Sequence, residues 1–274
     1  MSVVTFRAAT RSPIPSPRHP ALMNRISAVP FPPQSSASLT RNERKPVATL
    51  SRQDSSHSLL APLHYESNYA YPLLVWLHGP GGSERELVRV MPLVSLRNYV
   101  SLAVRGPADE HPGYSWPQTV DSIQTAELRI AEAIAVAQRR FNLHPERVFL
   151  CGAGNGGTMA IRLALRRPDL YAGAASLGGP FPDGHAPLAR LKQARRVRLL
   201  IEHPRDSVCY PIERVCRELA LFHAAGMSVT LRQYPCPDEL TTQMLHDLDV
   251  WLMEQVTGVA AEEQEHVPLP SDWN

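Results

Sequence analysis

From about residue 70 onwards, short apolar runs alternate with stretches whose apolar residues have helical spacing. Buried strands are predicted at residues 72–78, 99–104, 147–151, 172–177, 197–201 and 228–234. The clearest helix begins with a capping-box-like pair, Asp121 and Gln124, and its apolar positions recur every three or four residues up to Phe141. Further helices are expected at 155–167, 211–225 and 241–256, the last stopping at Gly258. Alternating strands and helices predict an α/β fold, a mostly parallel central sheet with helices on both faces.

The beginning of the chain shows neither short apolar runs nor apolar residues at helical spacing. It has no glycine up to about residue 65, and it is rich in proline and serine. Such a segment buries too little apolar surface to offset its ordering entropy, so residues 1–66 are expected to form a disordered tail. A folded domain is expected at 67–258 and a C-terminal tail at 259–274. Because the first segment is also basic, an organelle-targeting peptide and a partner-binding arm stay open as alternatives.

Charge and composition exclude several classes of protein. Residues 1–68 hold eight Lys and Arg against three Asp and Glu, while the rest of the chain holds 20 against 23. The folded part therefore lacks the basic balance typical of nucleic-acid binding, and no nucleic-acid partner is expected. No apolar stretch approaches the roughly 20 residues of a membrane span. The four cysteines form no C-x-x-C pair, which suits a cytoplasmic location and argues against a structural metal.

A glycine-rich turn follows the predicted strand RVFLC and precedes a predicted helix. Gly152, Gly154 and Gly157 match the dinucleotide fingerprint G-x-G-x-x-G. The same turn also matches a nucleophile elbow, G-x-S-x-G, with Gly154 where the serine would stand. The next strand ends in ASLGG and lacks the acidic residue that dinucleotide binding requires, so the elbow is favoured. Anion binding at the start of the helix stays open as a generic possibility.

Three further segments support the elbow. The first strong strand runs into His78-Gly79-Pro80-Gly81-Gly82, Asp206 lies in EHPRDSVCYP, and the C-terminal part contains YPCPDEL. Together these motifs make residues 70–257 resemble the carboxylesterase/phospholipase branch of the α/β hydrolases, which includes esterases similar to polyester depolymerases. The resemblance implies the α/β-hydrolase fold and a catalytic triad in the chain order Ser, Asp, His.

Carried over position by position, the resemblance leaves an incomplete triad. Asp206 stands at the acid position, but the nucleophile position is Gly154 and the histidine position is Asp238. Glycine has no side chain to form an acyl intermediate. Aspartate does not titrate near neutrality as the general base must.

The resemblance also implies an oxyanion hole formed by two backbone N–H groups. Asn155 supplies the first, and the pocket loop contains Gly79, Pro80 and Gly81. The second donor is expected from the residue after Gly79, which is Pro80 and has no N–H. The oxyanion hole is therefore expected to be weakened as well.

Other residues are candidates for the missing roles. Cys151 and Ser176 end buried strands and are expected to pack rather than react, and His203 is expected to be only solvated or hydrogen-bonded. His246 lies about two helical turns beyond Asp238, too far to replace the histidine. Asp206 and Asp238 are expected near each other, with one or both turned to solvent or paired with Arg205 rather than sharing a proton.

We therefore expect a catalytically degenerate α/β hydrolase, with no cofactor and no metal, that binds a small acyl or ester-like ligand or a protein partner. The alternative is a carboxylic-ester hydrolase with an unorthodox mechanism that uses Asp206 with Asp238, or Cys151. A third hypothesis makes the basic tail the functional element. The residue pattern leaves open whether the protein is an enzyme.

Overall fold

A computed structural model of the protein describes residues 56–109 and 112–259. Seven strands form one sheet in the order β1, β3, β2, β4, β5, β6, β7, with β1 antiparallel to β3 and all other pairs parallel. The strands are β1 (His57–Leu60), β2 (Tyr71–Leu77), β3 (Val100–Val104), β4 (Leu143–Ala153), β5 (Gly173–Leu177), β6 (Arg198–Pro204) and β7 (Val229–Tyr234).

Helices connect the parallel strands. They are α1 (Leu87–Val94), preceded by the 3-10 turn Glu84–Glu86, then α2 (Val120–Arg140), α3 (Asn155–Arg166), the short α4 (Leu191–Ala194), α5 (Ile212–Ala225) and α6 (Thr242–Thr257). Within the part of the chain that the structure describes, no helix is long and apolar enough to cross a membrane.

Both faces of the sheet are buried, and β2 shows how. Leu73, Val75 and Leu77 belong to a core cluster that includes residues of α2, α3 and α5. Leu74 and Trp76 belong to a second cluster, with residues of α1 and α6. Because successive side chains of a strand point to opposite faces, a strand covered on both sides is apolar throughout, as β2 is.

The predicted α/β fold is confirmed, and each of the six predicted strands and four predicted helices has a counterpart within a few residues. Two elements are not predicted by the sequence pattern. The strand β1 falls inside residues 1–66, the predicted tail, so the sheet begins earlier than expected. It is a four-residue edge strand with one fully buried residue, too short to show a period. Helix α1 is also missed, and it contains Pro92. Residues 1–55 and 260–274, the rest of the predicted tails, lie outside the described residues.

The start of α2 corrects the predicted cap. Thr119 is the N-cap, and its hydroxyl accepts a hydrogen bond from the Ser122 backbone N–H at 3.3 Å. Asp121 lies in the first turn, where its charge favours the helix dipole without capping the helix. At the other end of the fold, Gly258 ends α6 in the left-handed conformation, as predicted.

Replacing the two candidate caps separately tests this assignment. Thr119→Ala is expected to lower the free energy of unfolding by about 1 kcal/mol, because it removes the capping acceptor. Asp121→Ala should cost less than about half of that. Urea unfolding at neutral pH measures both values. A larger loss in Asp121→Ala than in Thr119→Ala would contradict the assignment.

Candidate functional site

The glycine-rich turn lies where β4 passes into α3, at the carboxyl edge of the parallel strands. Gly154 precedes the helix with φ +52° and ψ −124°, a conformation that residues with a side chain rarely adopt. Its N–H donates to the Leu177 carbonyl at 2.8 Å, and its carbonyl accepts from the Thr158 N–H at 3.1 Å. The turn is thus held by backbone bonds at the position predicted from the sequence.

Two other glycines of the turn are required by close packing. A Cβ on Gly152 would lie 2.6 Å from the Leu77 carbonyl oxygen. One on Gly156 would overlap the carbonyl oxygens of Leu77 and His78. The turn is therefore pressed against the end of β2, which carries the His78 to Gly82 loop.

The Pro80 ring lies close to Gly154. A Cβ built on Gly154 would lie 3.1 Å from Pro80 Cδ and 3.6 Å from Pro80 Cγ. The first distance is tighter than an ordinary contact, so a side chain at this position would have to displace the proline ring. Position 154 thus combines a missing side chain with a neighbour that fills part of its space.

The His78 side chain stabilises this loop through hydrogen bonds of its ring. Its Nε2 accepts from the Gly106 N–H at 3.0 Å, so Nδ1 carries the proton and donates to the Gly79 carbonyl at 2.8 Å. Burial lowers the pKa of His78, although the bond to Gly79 and the charge of Glu84 oppose this shift. Trp116 fixes the same residue twice, because its indole N–H donates to the His78 backbone carbonyl at 3.1 Å and its ring packs against the imidazole with centroids 5.2 Å apart. His78 therefore has a structural role.

The other residues of the His78 to Gly82 loop also form hydrogen bonds within the protein. The backbone of Gly79 hydrogen-bonds to the Glu86 carboxyl group, which also accepts from the Trp76 indole N–H at 2.8 Å. Burial raises the pKa of Glu86 despite these bonds. Gly82 N–H donates to the Gly79 carbonyl at 3.0 Å, and Gly81 has φ +71°. The loop is a tight turn built on Glu86.

Asn155 follows Gly154 as the first residue of α3. Its side-chain amide donates to the hydroxyl of Ser115. Its Oδ1 atom is buried and has no hydrogen-bond partner among the residues that the structure describes. The side chain thus joins the turn to the segment before α2.

Asp206 lies in the loop after β6, and its side chain faces outward. The carboxylate is 61% exposed, and Oδ1 lies 3.7 Å from Arg205 Nε. The Asp206 backbone N–H donates to the Cys236 carbonyl at 3.1 Å, which joins this loop to the one after β7. The exposure and the Arg205 pairing are those expected from the sequence.

Asp238 lies in the loop after β7 and accepts hydrogen bonds from the Asp206 loop. Its Oδ2 accepts from the N–H groups of Val208 at 2.9 Å and Cys209 at 3.2 Å, and its Oδ1 accepts from the Ser207 hydroxyl. Burial raises the pKa of Asp238, but the bonds from Ser207, Cys209 and Val208 outweigh it and leave the pKa below its usual value. Asp238 is an ionised cap of the neighbouring loop.

The two possible replacement nucleophiles are buried. Cys151 in β4 has no exposed surface, and burial raises the pKa of its thiol. Ser176 in β5 donates its hydroxyl hydrogen to the Gly179 carbonyl at 2.7 Å. Both side chains pack or bond within the core.

The two possible replacement bases are also placed elsewhere. His203 is buried in β6 rather than in a loop, and its Nε2 hydrogen-bonds to the Tyr210 carbonyl at 2.8 Å, so it is hydrogen-bonded and not solvated. His246 is exposed on α6. Within residues 56–109 and 112–259, no group of three or more His, Cys, Asp or Glu could hold a metal ion.

The sequence does not predict two contacts of the site. These are the Pro80 ring against Gly154 and the Ser207 hydroxyl bonded to the Asp238 carboxylate. From the sequence, Pro80 is notable only for its missing N–H. The periodic pattern of apolar residues does not show which residue a proline ring contacts. The Ser207 contact has a signal, because a serine after an acidic loop residue offers a donor to any carboxylate in the facing loop.

No protein-family model matches the chain. A 116-residue segment, 41% of the chain, is 32% identical to "Putative esterase NocK" of Nocardia uniformis subsp. tsuyamanensis and covers 34% of it. A 117-residue segment, 42% of the chain, is 24% identical to carboxylesterase SOBER1 of Arabidopsis thaliana and covers 51% of it. The matches therefore span about half or less of these curated relatives.

Solved structures match over a larger share. The Bacillus cereus carboxylesterase has a TM-score of 0.59 at 17% identity, with 75% of this chain and 96% of that chain covered. The carboxylesterase from Mesorhizobium loti has a TM-score of 0.60 at 23% identity, with 73% and 96% covered. The protein has the α/β-hydrolase fold. These four relatives, in sequence and in structure, bear the names of carboxylesterases and esterases, in agreement with the branch that the motifs resemble.

A double-mutant cycle tests the contact between Pro80 and Gly154. Gly154→Ala is expected to cost about 1–3 kcal/mol of unfolding free energy, from the strained backbone and from the proline ring. In a Pro80→Ala background this cost should fall by at least about 0.5 kcal/mol. Gly184→Ala is the matched control, because Gly184 also has a positive φ of +67° but nothing within 4 Å of its Cβ position. Additive effects of Gly154→Ala and Pro80→Ala in urea unfolding would contradict the contact.

The lowered pKa of Asp238 predicts a pH-dependent contribution to stability. Because the folded-state pKa lies below the ordinary value of 3.8, the contribution is present at neutral pH and is lost as the pH falls through the folded-state pKa. Asp238→Asn should therefore destabilise the protein at neutral pH, and its difference from wild type should shrink below about pH 4. Urea unfolding over this pH range measures it, with Asp206→Asn as the control. An equal loss in the control would contradict the capping role.

Proposed function

We propose that the protein is a non-hydrolytic α/β-hydrolase that acts by binding, with a small acyl or ester-like molecule as its ligand. One observation carries the proposal. The residue at the elbow is glycine, and the Pro80 ring lies 3.1 Å from the point where a nucleophilic side chain would begin. A side chain at position 154 would need the proline ring to shift by a few tenths of an ångström, so the neighbouring loop as well as residue 154 departs from what a nucleophile requires.

The position of the general base supports the same conclusion. Ester cleavage needs a group near the nucleophile that takes up and returns a proton close to neutral pH. Asp238 stands at that position, and the hydrogen bonds of the Asp206 loop lower its pKa. It is therefore a permanent acceptor for that loop and cannot perform the exchange.

The oxyanion loop is consistent with binding without cleavage. Pro80 has no N–H to donate, and the Gly79 backbone bonds to Glu86. Loss of one oxyanion donor costs about a hundredfold to a thousandfold in rate, and loss of the catalytic triad costs up to about a millionfold. An acyl or ester group could still be recognised, because ground-state binding does not require these donors.

The alternative of an unorthodox ester hydrolase gains no support from the side chains it requires. A thiol mechanism needs an accessible thiolate, but Cys151 is buried and its pKa is raised. A paired-carboxylate mechanism needs two acids that share a proton. Asp206 instead faces Arg205 and solvent, and Asp238 accepts from three donors of the neighbouring loop. The names of the relatives support an acyl or ester ligand for this chain without requiring its cleavage.

Hydrolysis of p-nitrophenyl acetate and butyrate by the purified full chain tests the proposal. The wild type is expected to show no turnover above buffer. The triple variant Gly154→Ser, Asp238→His, Pro80→Ala restores a hydroxyl, an imidazole and an N–H donor, and should gain at least about tenfold over wild type. The matched control, Gly154→Ser with Asp238→His, keeps the proline and should gain less.

Wild-type turnover that is lost in Cys151→Ser, Asp206→Asn or Asp238→Asn would overturn the proposal in favour of the unorthodox hydrolase. A triple variant that unfolds like wild type in urea yet stays inactive would overturn the retained acyl pocket.

A further inference from the structure

A cavity lies away from the candidate site. It has a volume of about 370 Å³ and lies at the end of α3, where Arg166 and Arg167 meet Glu127 of α2 and the segment of His185 and Arg190. Arg166 is eleven residues beyond the start of α3, which places it about 17 Å along the helix axis from the glycine-rich turn. The cavity is thus at the opposite edge of the sheet, and its volume lies in the range of small-molecule sites.

Three guanidinium groups line this cavity, and each contacts a carboxylate at 3.4–4.0 Å. Each guanidinium has five N–H donors, and these long contacts engage only some of them. Arg166 and Arg167 approach Glu127 at 3.4 Å and 3.6 Å. Arg190 lies 4.0 Å from Asp169, which Arg167 approaches at 3.4 Å. Charge-assisted bonds between guanidinium and carboxylate are normally shorter, near 2.7–2.9 Å. The arginines therefore retain donors that an anion in the cavity could use.

One of these donors is buried. Arg166 Nε has no hydrogen-bond partner among the residues that the structure describes, although the atom is shielded from solvent. A buried N–H without an acceptor is costly, and few remain unsatisfied in folded proteins. An acceptor in the cavity would satisfy this N–H once the Arg166 side chain turned its Nε toward the cavity, because the atom has almost no accessible surface in its present position.

The wall opposite the arginines has a strained backbone. Gly184, His185 and Ala186 have φ values of +67°, +51° and +45°, so three successive residues are left-handed. Two of them carry side chains, for which this conformation costs free energy. Such strain persists only where the surroundings enforce it, and it clusters at ligand sites.

Hydrogen bonds and an ion pair from neighbouring helices hold this left-handed turn in place. The fully buried Arg162 donates to the carbonyl of Gly184 at 3.0 Å and to that of Asp183. The Asp183 carboxylate pairs with Arg214 at 2.6 Å. Two arginines from α3 and α5 thus fix the turn that places His185 and Ala186 on the cavity wall.

We propose that this cavity binds a phosphate monoester of a small organic molecule. The phosphate group offers three acceptor oxygens to the N–H donors of three guanidinium groups, where a carboxylate offers two, although Glu127 and Asp169 already balance part of the positive charge. The organic part would lie against Leu165 and the alanines of the wall. This site is independent of the elbow and of the proposed acyl ligand.

Titration calorimetry on the full chain tests the site with phenyl phosphate, inorganic phosphate and benzoate as probes. Phenyl phosphate should bind most tightly, and its Kd should rise about tenfold or more in Arg167→Gln and in Arg190→Gln, each of which removes one charged donor. Arg139→Gln, an exposed arginine at the end of α2, is the matched control and should leave the Kd unchanged. Urea unfolding shows that each variant folds.

Each outcome decides part of the proposal. Equal affinities for phenyl phosphate and inorganic phosphate would support the anion site and overturn the organic ligand. Benzoate binding as tightly as phenyl phosphate would overturn the preference for phosphate. Wild type without saturable binding, or an equal loss in Arg139→Gln, would overturn the site itself.

Discussion

The close approach of the turn after β4 to the end of β2 is the contact around which the candidate site is arranged. Gly152 has no room for a side chain beside Leu77, and Gly156 has none beside His78. This constraint is independent of catalysis, which explains how a turn shaped for a nucleophile can persist with Gly154 at its apex.

The loops around the glycine-rich turn make two contacts that bear on the proposed function. Pro80 lies against the empty position at Gly154. Asp238 caps the loop of Asp206 and Ser207, so the acid loop and the loop after β7 still meet, but the second now accepts hydrogen bonds. Both contacts are the observations on which the proposal of binding without ester cleavage rests.

The sequence predicts those parts of the fold that have a periodic pattern of apolar residues or that end at a glycine. The buried strands, the face of α2 and the stop at Gly258 belong to this group. The edge strand β1 is missed because four residues, one buried and three half-buried, are too few to show a period. The cap at Thr119 is missed because the favoured Asp121 lies two residues away. Within the site, the positions of Gly154 and Asp238 are predicted, but their contacts are not, because these depend on how separate loops face each other. The arginine cavity joins residues from α2, α3 and a later loop, so only the fold brings them together.

If the elbow keeps its backbone geometry without an activated nucleophile, the protein should resist reagents that label hydrolases. A fluorophosphonate ester reacts with activated serine and thiolate groups, and the intact mass of the treated wild-type chain reveals any adduct. No adduct is expected after incubation at neutral pH, with the Gly154→Ser, Asp238→His, Pro80→Ala variant as the comparison. A stoichiometric adduct on the wild type, mapped to Cys151 or Ser176, would show instead that an activated nucleophile is present.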